Sequence, residues 1–371
     1  MTSMTIHLQS DGHIQARTNG SLGIITLNRP HALNALSLPM IADLTCILNA
    51  WAADSQVHAV LVLGAGREGK APAFCAGGDI RFFHQAAIAG DARLDEFFTA
   101  EYTLNHLIHH YAKPYIALMD GVVMGGGMGI SQGARLRVVN ERSKLAMPET
   151  NIGLFPDVGA GYFLAQCPGS TGEWLALTGQ VLGASDAITL GLADVFVSVA
   201  DWDDMVRELL HGTQSNAEHI VATVMARSSL APHEGLLEAH RAKIDRHFSA
   251  PSLTAIAHSL GTHDGEWEQA TLKAIQQRSP LMLCVTLEQI RRARSMTLAE
   301  DLRMERSLVH HCFHARPVDQ SETVEGIRAL AVDKDHAPRW NPSEIAAVDP
   351  KEVARFFTNP WPTGEHPLRF L

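Results

Sequence analysis

Two short stretches of this chain end an apolar extended run in bare backbone and pass at once into a helical pattern. One is "AFCAGGDIRFF", Ala73 to Phe83, with Gly77 and Gly78 at its turn; the other is "VVMGGGMGI", Val122 to Ile130, with Gly125, Gly126 and Gly127. Glycine inside a strand or helix sacrifices backbone entropy, so such runs mark places where bare backbone serves a purpose. A strand, a glycine turn and a helix start point free N–H groups outward, with the positive end of the helix dipole behind them. One turn supplies a single placed amide. Two can supply a pair that converges on one carbonyl oxygen, the arrangement that stabilises an oxyanion. The same glycines are equally compatible with close packing of each turn against another backbone. The triglycine is neither a dinucleotide nor a phosphate-loop fingerprint, because it lacks both G-x-G-x-x-G and G-K-[ST].

The surrounding pattern is α/β. "HIQARTNGSLGIITLN" places Asn-Gly between two extended runs, a hairpin signal. "LPMIADLTCILNAW" repeats apolar residues at Ile41, Leu44, Ile47, Leu48 and Trp51, a helical period with Pro39 in the first turn. "HAVLVLGA", "KPYIALMD" and "RLRVVNE" read as short buried strands. From about residue 205 the pattern is mostly helical, which predicts an α/β body over 1–204 and a helical C-terminal portion over 205–371. The 371 residues carry a net charge of −10, which opposes a nucleic-acid partner while leaving room for a local cluster of donors around a small anion. Five scattered cysteines without a C-x-x-C pair suit a reducing compartment. With no secretory pattern at the start and no apolar run of roughly 20 residues, a soluble cytoplasmic protein without membrane association is expected.

Four acids stand out. Asp79 follows the first glycine turn and is expected as a helix N-cap or first-turn acid. Glu101 falls on the same helical face as Leu94, Phe97, Phe98, Leu104 and Ile108. An ionisable group on a packed face is costly without a partner, so Glu101 faces either a polar pocket or a buried arginine. Glu149 and Asp157 flank "TNIGLFP" between Pro148 and Pro156, in a loop of the kind that carries sites, although a surface location is the commoner fate of such acids. Among the 20 histidines, His310 and His314 stand at i, i+4 around Cys312. Without H-E-x-x-H or a second ligand-spaced cluster, they are expected to share a helical face and to bind no metal.

"TLNRPHALNAL", "AFCAGGDI" and "DGVVMGGGMGI", in that order, resemble the strand-one and the two oxyanion motifs of the crotonase (enoyl-CoA hydratase/isomerase) superfamily. The resemblance implies a spiral of ββα units that binds acyl-CoA thioesters, with the amides of Gly78 and Gly126 holding the thioester oxygen. Hydratases of this family use two glutamates, three and 23 residues after the middle glycine; here those positions are Gly129 and Glu149. "EYTLN", "AMPETNIGLFPDVGAGYF" and "SETVEGIRALAVDKDHAPRW" resemble the 3-hydroxyisobutyryl-CoA hydrolase branch, extending the likeness over roughly residues 13 to 342. His31 departs from it, standing where a lysine is usual, and Ala160 interrupts a glycine run.

The branch implies that Glu101, Gly126, Glu149 and Asp157 are substrate or catalytic positions. The expected reaction is hydrolysis of a short 3-hydroxyacyl-CoA, as in valine catabolism. Glu149 would attack the thioester or activate water, and Asp157 and Glu101 would bind the 3-hydroxyl and raise the acid's pKa. No metal or redox cofactor is implied, coenzyme A being part of the substrate, and assembly into a homo-oligomer through the C-terminal helices is expected. The competing readings are an enoyl-CoA isomerase or hydratase-like enzyme of the same superfamily and a catalytically silent acyl-CoA-binding protein.

Overall fold

A computed structural model describes residues 8–212, 215–231 and 235–371. The chain forms two compact units whose segments interleave: Met1–Gly78, Thr103–Leu145 and Leu182–Gly235 in the first, and Asp79–Tyr102, Ala146–Val181 and Leu236–Leu371 in the second. The expected 204/205 boundary falls inside the helix Val199–His211, and the first unit runs on to Gly235, although among the described residues no strand follows Val195–Phe196.

The first unit is built on short strands that alternate between two sheets. β1 (Ile14–Asn19) and β2 (Leu22–Leu27) form the expected antiparallel hairpin, with Asn19 paired to Leu22 around a turn in which Gly20 has φ +57°. β2, β3 (Ala59–Gly64), β5 (Tyr115–Leu118), β7 (Leu136–Val139) and β9 (Val195–Phe196) then pair in parallel in the larger sheet. β4 (Ala73–Cys75), β6 (Val122–Met124) and β8 (Lys144–Ala146) fill a second sheet in that order. From β3 onward each step along the chain thus places one strand in the large sheet and the next in the small one, which is the ββα spiral. Parallel strands covered on a face read as continuous apolar runs. "AVLVLG" is such a run, and Leu61 packs in a buried cluster with Ile24, Ile116, Val138, Trp202 and Met205.

Helix α1 (Leu38–Ala53) buries Ile41, Leu44, Ile47, Leu48 and Trp51, the stripe its period predicts. Helix α4 (Gly126–Gln132) starts on the triglycine.

The second unit is helical. Helix α2 (Ile80–Ala89) is capped by Asp79, whose carboxylate accepts from the Phe82 N–H at 3.3 Å, as expected. Helix α3 (Arg93–His109) contributes its first ten residues, through Tyr102, to this unit. Their packed face joins an aromatic cluster: Phe83 and Phe97 lie 4.8 Å apart between ring centroids, Phe97 and Phe98 5.5 Å, and Phe98 and Phe313 5.8 Å. Burying aromatic rings of this size is the largest stabilising contribution available to such a face, about 1.5–3 kcal/mol per side chain. That holds Glu101, one turn further on, inside the packed layer. Helices Pro280–Ala293 and Leu298–His314 complete the frame around the loop that carries Glu149 and Asp157.

Candidate active site

Strands β4 and β6 are parallel neighbours, and each ends in its glycine turn. Gly77 has φ +105°, and Gly125 has φ +51° with ψ −121°, backbone that side chains with a Cβ rarely adopt. The turns also lie against each other. A Cβ on Gly77 would sit 3.2 Å from the Met124 carbonyl oxygen and 3.5 Å from the Gly126 nitrogen, and one on Gly127 would sit 2.2 Å from the Cys75 carbonyl oxygen. Close packing, the alternative use of these glycines, is therefore real at Gly77 and Gly127. It does not consume the amides: among the described residues, neither the Gly78 nor the Gly126 N–H finds a protein acceptor. Both uses hold at once, with packing at the outer glycines and free donors at Gly78 and Gly126.

In the second unit the structure brings Glu101, Glu149 and Asp157 together. None is a surface acid; their exposures are 2%, 8% and 5%. Glu149 opens a short 3-10 turn, Glu149–Ile152, between Pro148 and Gly153, whose φ of +63° ends it. A Cβ on Gly153 would strike the Glu322 carbonyl oxygen at 2.3 Å, so the turn is seated against its neighbours as well as bent. Buried Arg278 holds the same turn, donating from Nε to Thr150 Oγ1 at 3.1 Å and also to the Thr178 carbonyl. Its guanidinium is spent on these oxygens and, among the described residues, forms no ion pair with Glu149. Glu101 likewise has no arginine partner among the described residues, so the polar-pocket alternative prevails.

Burial pushes the carboxyl of Glu101 well above the ordinary range, with the charges of Asp157 and Glu149 adding to it. Glu149 is raised likewise, by burial first and Asp157 second, against a lesser lowering by its own backbone N–H. Asp157 is raised by burial to about 6, held down by a hydrogen bond from Tyr102 and by its own backbone. Three acids that repel one another in a dry site cannot all ionise together, so the group retains protons near neutrality. Glu101 Oε1 and Glu149 Oε2 have no hydrogen-bond partner and are buried. Unpaired carboxylate oxygens inside a protein cost stability and mark a place kept for chemistry or a ligand.

Sequence reasoning missed the groups that hold Asp157 in place. Tyr102 Oη donates to Asp157 Oδ2 at 2.8 Å. Glu305, on helix Leu298–His314, accepts from the Gly159 N–H at 2.7 Å and the Gly161 N–H at 3.0 Å, and Gln289 Nε2 reaches Glu305 at 3.1 Å and the Pro156 carbonyl at 2.6 Å. Asp301, one turn earlier, accepts from the Tyr162 N–H at 2.8 Å. Val158 at φ +58° and Gly159 at φ +86° give this loop its sharp bend, and a Cβ on Gly161 would lie 2.1 Å from Asp301 Oδ1. Tyr102 was signalled only by its place beside Glu101; Asp301 and Glu305 were signalled by their i, i+4 spacing on an otherwise apolar helical face.

A family model described as enoyl-CoA hydratase/isomerase matches residues 22–357. The chain belongs to this family. Its solved relatives include a carnitinyl-CoA dehydratase from Mycobacterium thermoresistibile, with a TM-score of 0.84 at 35% identity over 95% of this chain and 98% of that one. An enoyl-CoA hydratase from Rhodobacter sphaeroides 2.4.1 gives a TM-score of 0.83 at 38% identity, covering 93% and 96%. The crotonase spiral with a helical C-terminal portion is therefore the fold of this family member. By sequence it is 39% identical to the mitochondrial 3-hydroxyisobutyryl-CoA hydrolase of Xenopus tropicalis, over 96% of this chain and 91% of that protein. The Homo sapiens protein of the same name is 37% identical over 99% and 93%. These relatives correct one expectation: a plain cytoplasmic location does not stand beside vertebrate relatives that are mitochondrial by name. No helix among the described residues is long and apolar enough to cross a membrane.

Proposed function

We propose that this family member hydrolyses a short 3-hydroxyacyl-CoA thioester, 3-hydroxyisobutyryl-CoA or a close analogue, to the free acid and coenzyme A, as in valine degradation. The observation that carries the reading is the Glu149 carboxylate, buried beside Asp157 and Glu101 with one oxygen unpartnered. It stands at the position of the family's catalytic acid, and the named relatives give the substrate class.

In this reading the Gly78 and Gly126 N–H groups take the thioester oxygen and stabilise the charge that grows on it. Glu149 must shed its proton first, which burial and the Asp157 charge delay to a pH above the Asp157 titration; once ionised it acts in one of two ways. Its oxygen bonds to the carbonyl carbon, the C–S bond breaks, and a mixed anhydride forms that water later hydrolyses. Alternatively it takes a proton from a water that makes the same attack. In both, the departing thiolate recovers a proton and leaves as the thiol of coenzyme A. A protonated Glu101 and the Tyr102-oriented Asp157 supply one donor and one acceptor for a 3-hydroxyl, which gives the preference for 3-hydroxyacyl chains. The scheme draws on no metal or redox cofactor. Assembly through the C-terminal helices belongs to the same reading, and light scattering on eluted protein measures it.

The hydratase names among the solved relatives favour a second reading, addition of water to an enoyl-CoA. That chemistry calls on a second glutamate where this chain has Gly129, inside α4. A screen of short acyl-CoAs for thiol release separates the readings. Fast release restricted to 3-hydroxyacyl substrates is expected; rapid hydration of crotonyl-CoA without thiol release would sink the hydrolase. Single turnover in H2(18)O, with mass analysis of the Glu149 peptide, distinguishes the nucleophile from the general base.

A further inference from the structure

The histidines of "HHCFH" take no part in the carboxylate site, yet they do not simply face solvent. His310 and His314 lie on one face of helix Leu298–His314, with ring centroids 4.3 Å apart. Against both stands Asp95, 215 and 219 residues away along the chain. His314 Nε2 is 2.9 Å from Asp95 Oδ2, and His310 Nδ1 is 3.4 Å from Asp95 Oδ1. The second cluster that the sequence lacked is thus a single carboxylate from α3.

We propose that Asp95, His310 and His314 form a binding site for a divalent transition-metal ion of the Zn2+ class. The three ligand atoms lie within 4.8 Å of one another. A tetrahedral ion with bonds of about 2.0–2.1 Å separates its ligand atoms by roughly 3.4 Å. The two imidazoles meet different oxygens of the carboxylate, at 2.9 and 3.4 Å, and the widest pair of ligand atoms has at most about 1.4 Å to close, within the swing of partly exposed imidazoles. Two imidazoles and one carboxylate suit Zn2+, Cu2+ or Ni2+ rather than Mg2+ or Ca2+, which prefer all-oxygen shells. The fourth position falls to water.

The neighbours fit a ligand set. Arg306, 2% exposed, donates from Nη2 to Asp95 Oδ1 at 2.6 Å and to the Asp95 carbonyl at 3.3 Å, and from Nε to Thr99 Oγ1 at 3.0 Å. It fixes the carboxylate through Oδ1 and leaves Oδ2 toward His314, the way an outer hydrogen bond orients a metal ligand. Its positive charge also tempers the affinity for a cation. Trp361 flanks the group, 5.1 Å from the His310 ring and 4.9 Å from the Arg306 guanidinium carbon. The rival account makes Asp95 an acceptor that merely ties α3 to the later helix.

The test is a ZnCl2 titration of metal-stripped full-length protein by calorimetry, paralleled by Co2+ absorption, which reports tetrahedral N/O coordination. One equivalent of tight binding is expected. His310→Ala, His314→Ala and Asp95→Asn should each weaken it at least tenfold, whereas His110→Ala, a control just past the end of α3, should leave it unchanged. Zinc should raise the thermal midpoint of the wild type and not that of His314→Ala. Circular dichroism checks that the variants fold, and the exposure of His314 makes that variant the safest. Absence of a one-equivalent site, or one that His314→Ala leaves at full affinity, overturns the proposal.

Discussion

The glycine turns of the first unit and the carboxylates of the second reach a functional arrangement by opposite routes. At Gly77–Gly78 and Gly125–Gly127 everything needed is local: a strand end, backbone that only glycine adopts readily, and a helix start that leaves an N–H unpaired. At Glu101, Glu149 and Asp157 nothing is local. Two distant segments, α3 and the loop from Glu149 to Asp157, must fold together before the acids meet, and each acid is costly until they do. The difference teaches that a backbone donor is robust to changes in its surroundings, whereas a carboxylate is defined by its neighbours. Substitutions should therefore act differently in the two regions.

The largest effect is expected at Glu149. Glu149→Gln keeps the size of the side chain but can neither attack nor accept a proton. Thiol release should fall by about 100- to 10,000-fold or more. Affinity for a non-hydrolysable acyl-CoA analogue, measured by calorimetry, should be largely kept. Unchanged turnover would hand the role to Asp157 or Glu101; joint loss of binding and turnover would make Glu149 a structural member of its loop.

Gly126→Pro tests the local route. It removes one N–H while proline at a first helical position is tolerated, so turnover should drop by about 100- to 1000-fold with the fold intact by circular dichroism. Near-normal turnover in a folded variant would show that these glycines serve packing alone.

Tyr102→Phe sharpens the carboxylate side. The Tyr102 hydrogen bond lowers the Asp157 carboxyl, so its loss should raise that group further, by about one unit if the bond is worth about 1.5 kcal/mol. The acid limb of the pH–rate profile should move to higher pH, with turnover about twofold lower near neutrality and approaching tenfold lower on the acid side. A profile that falls in amplitude without moving would reduce Tyr102 to a packing residue.

The smallest effect is on stability. Glu101, Glu149 and Asp157 all have folded pKa values above their unfolded ones, so the folded chain binds more protons than the unfolded chain in the interval between. Stability must then fall as pH rises from the ordinary carboxylate range through about 6, where Asp157 titrates, and further where the two glutamates do. Glu101→Gln removes one of these penalties. Its thermal midpoint should exceed the wild type's by about 2 °C at pH 8 and match it near pH 4. An equal gain at both pH values would point to packing rather than charge.

The α1 stripe, the β1–β2 hairpin, the buried strands and the Asp79 cap were legible because each rests on contacts within a few residues, where periodicity and turn chemistry carry the signal. The glycine turns were legible for the same reason. Glu101, Glu149 and Asp157 stood out one at a time, as misplaced charges or as matches to a family motif. The sequence offered both a polar pocket and an arginine partner for Glu101, and a surface as the commoner fate of the other two acids.

Folding removed those alternatives by placing each acid in the low-dielectric field of the other two. It also supplied Tyr102, Glu305 and Asp301, which hold the Asp157 loop across as many as 146 residues of chain. Asp95 meets His310 and His314 in the same way. Local backbone geometry is written in neighbouring residues, because steric limits on φ and ψ act over one or two positions. The ionisation state of a buried acid is set by burial and by charges a few ångströms away, and only the folded chain determines which residues those are.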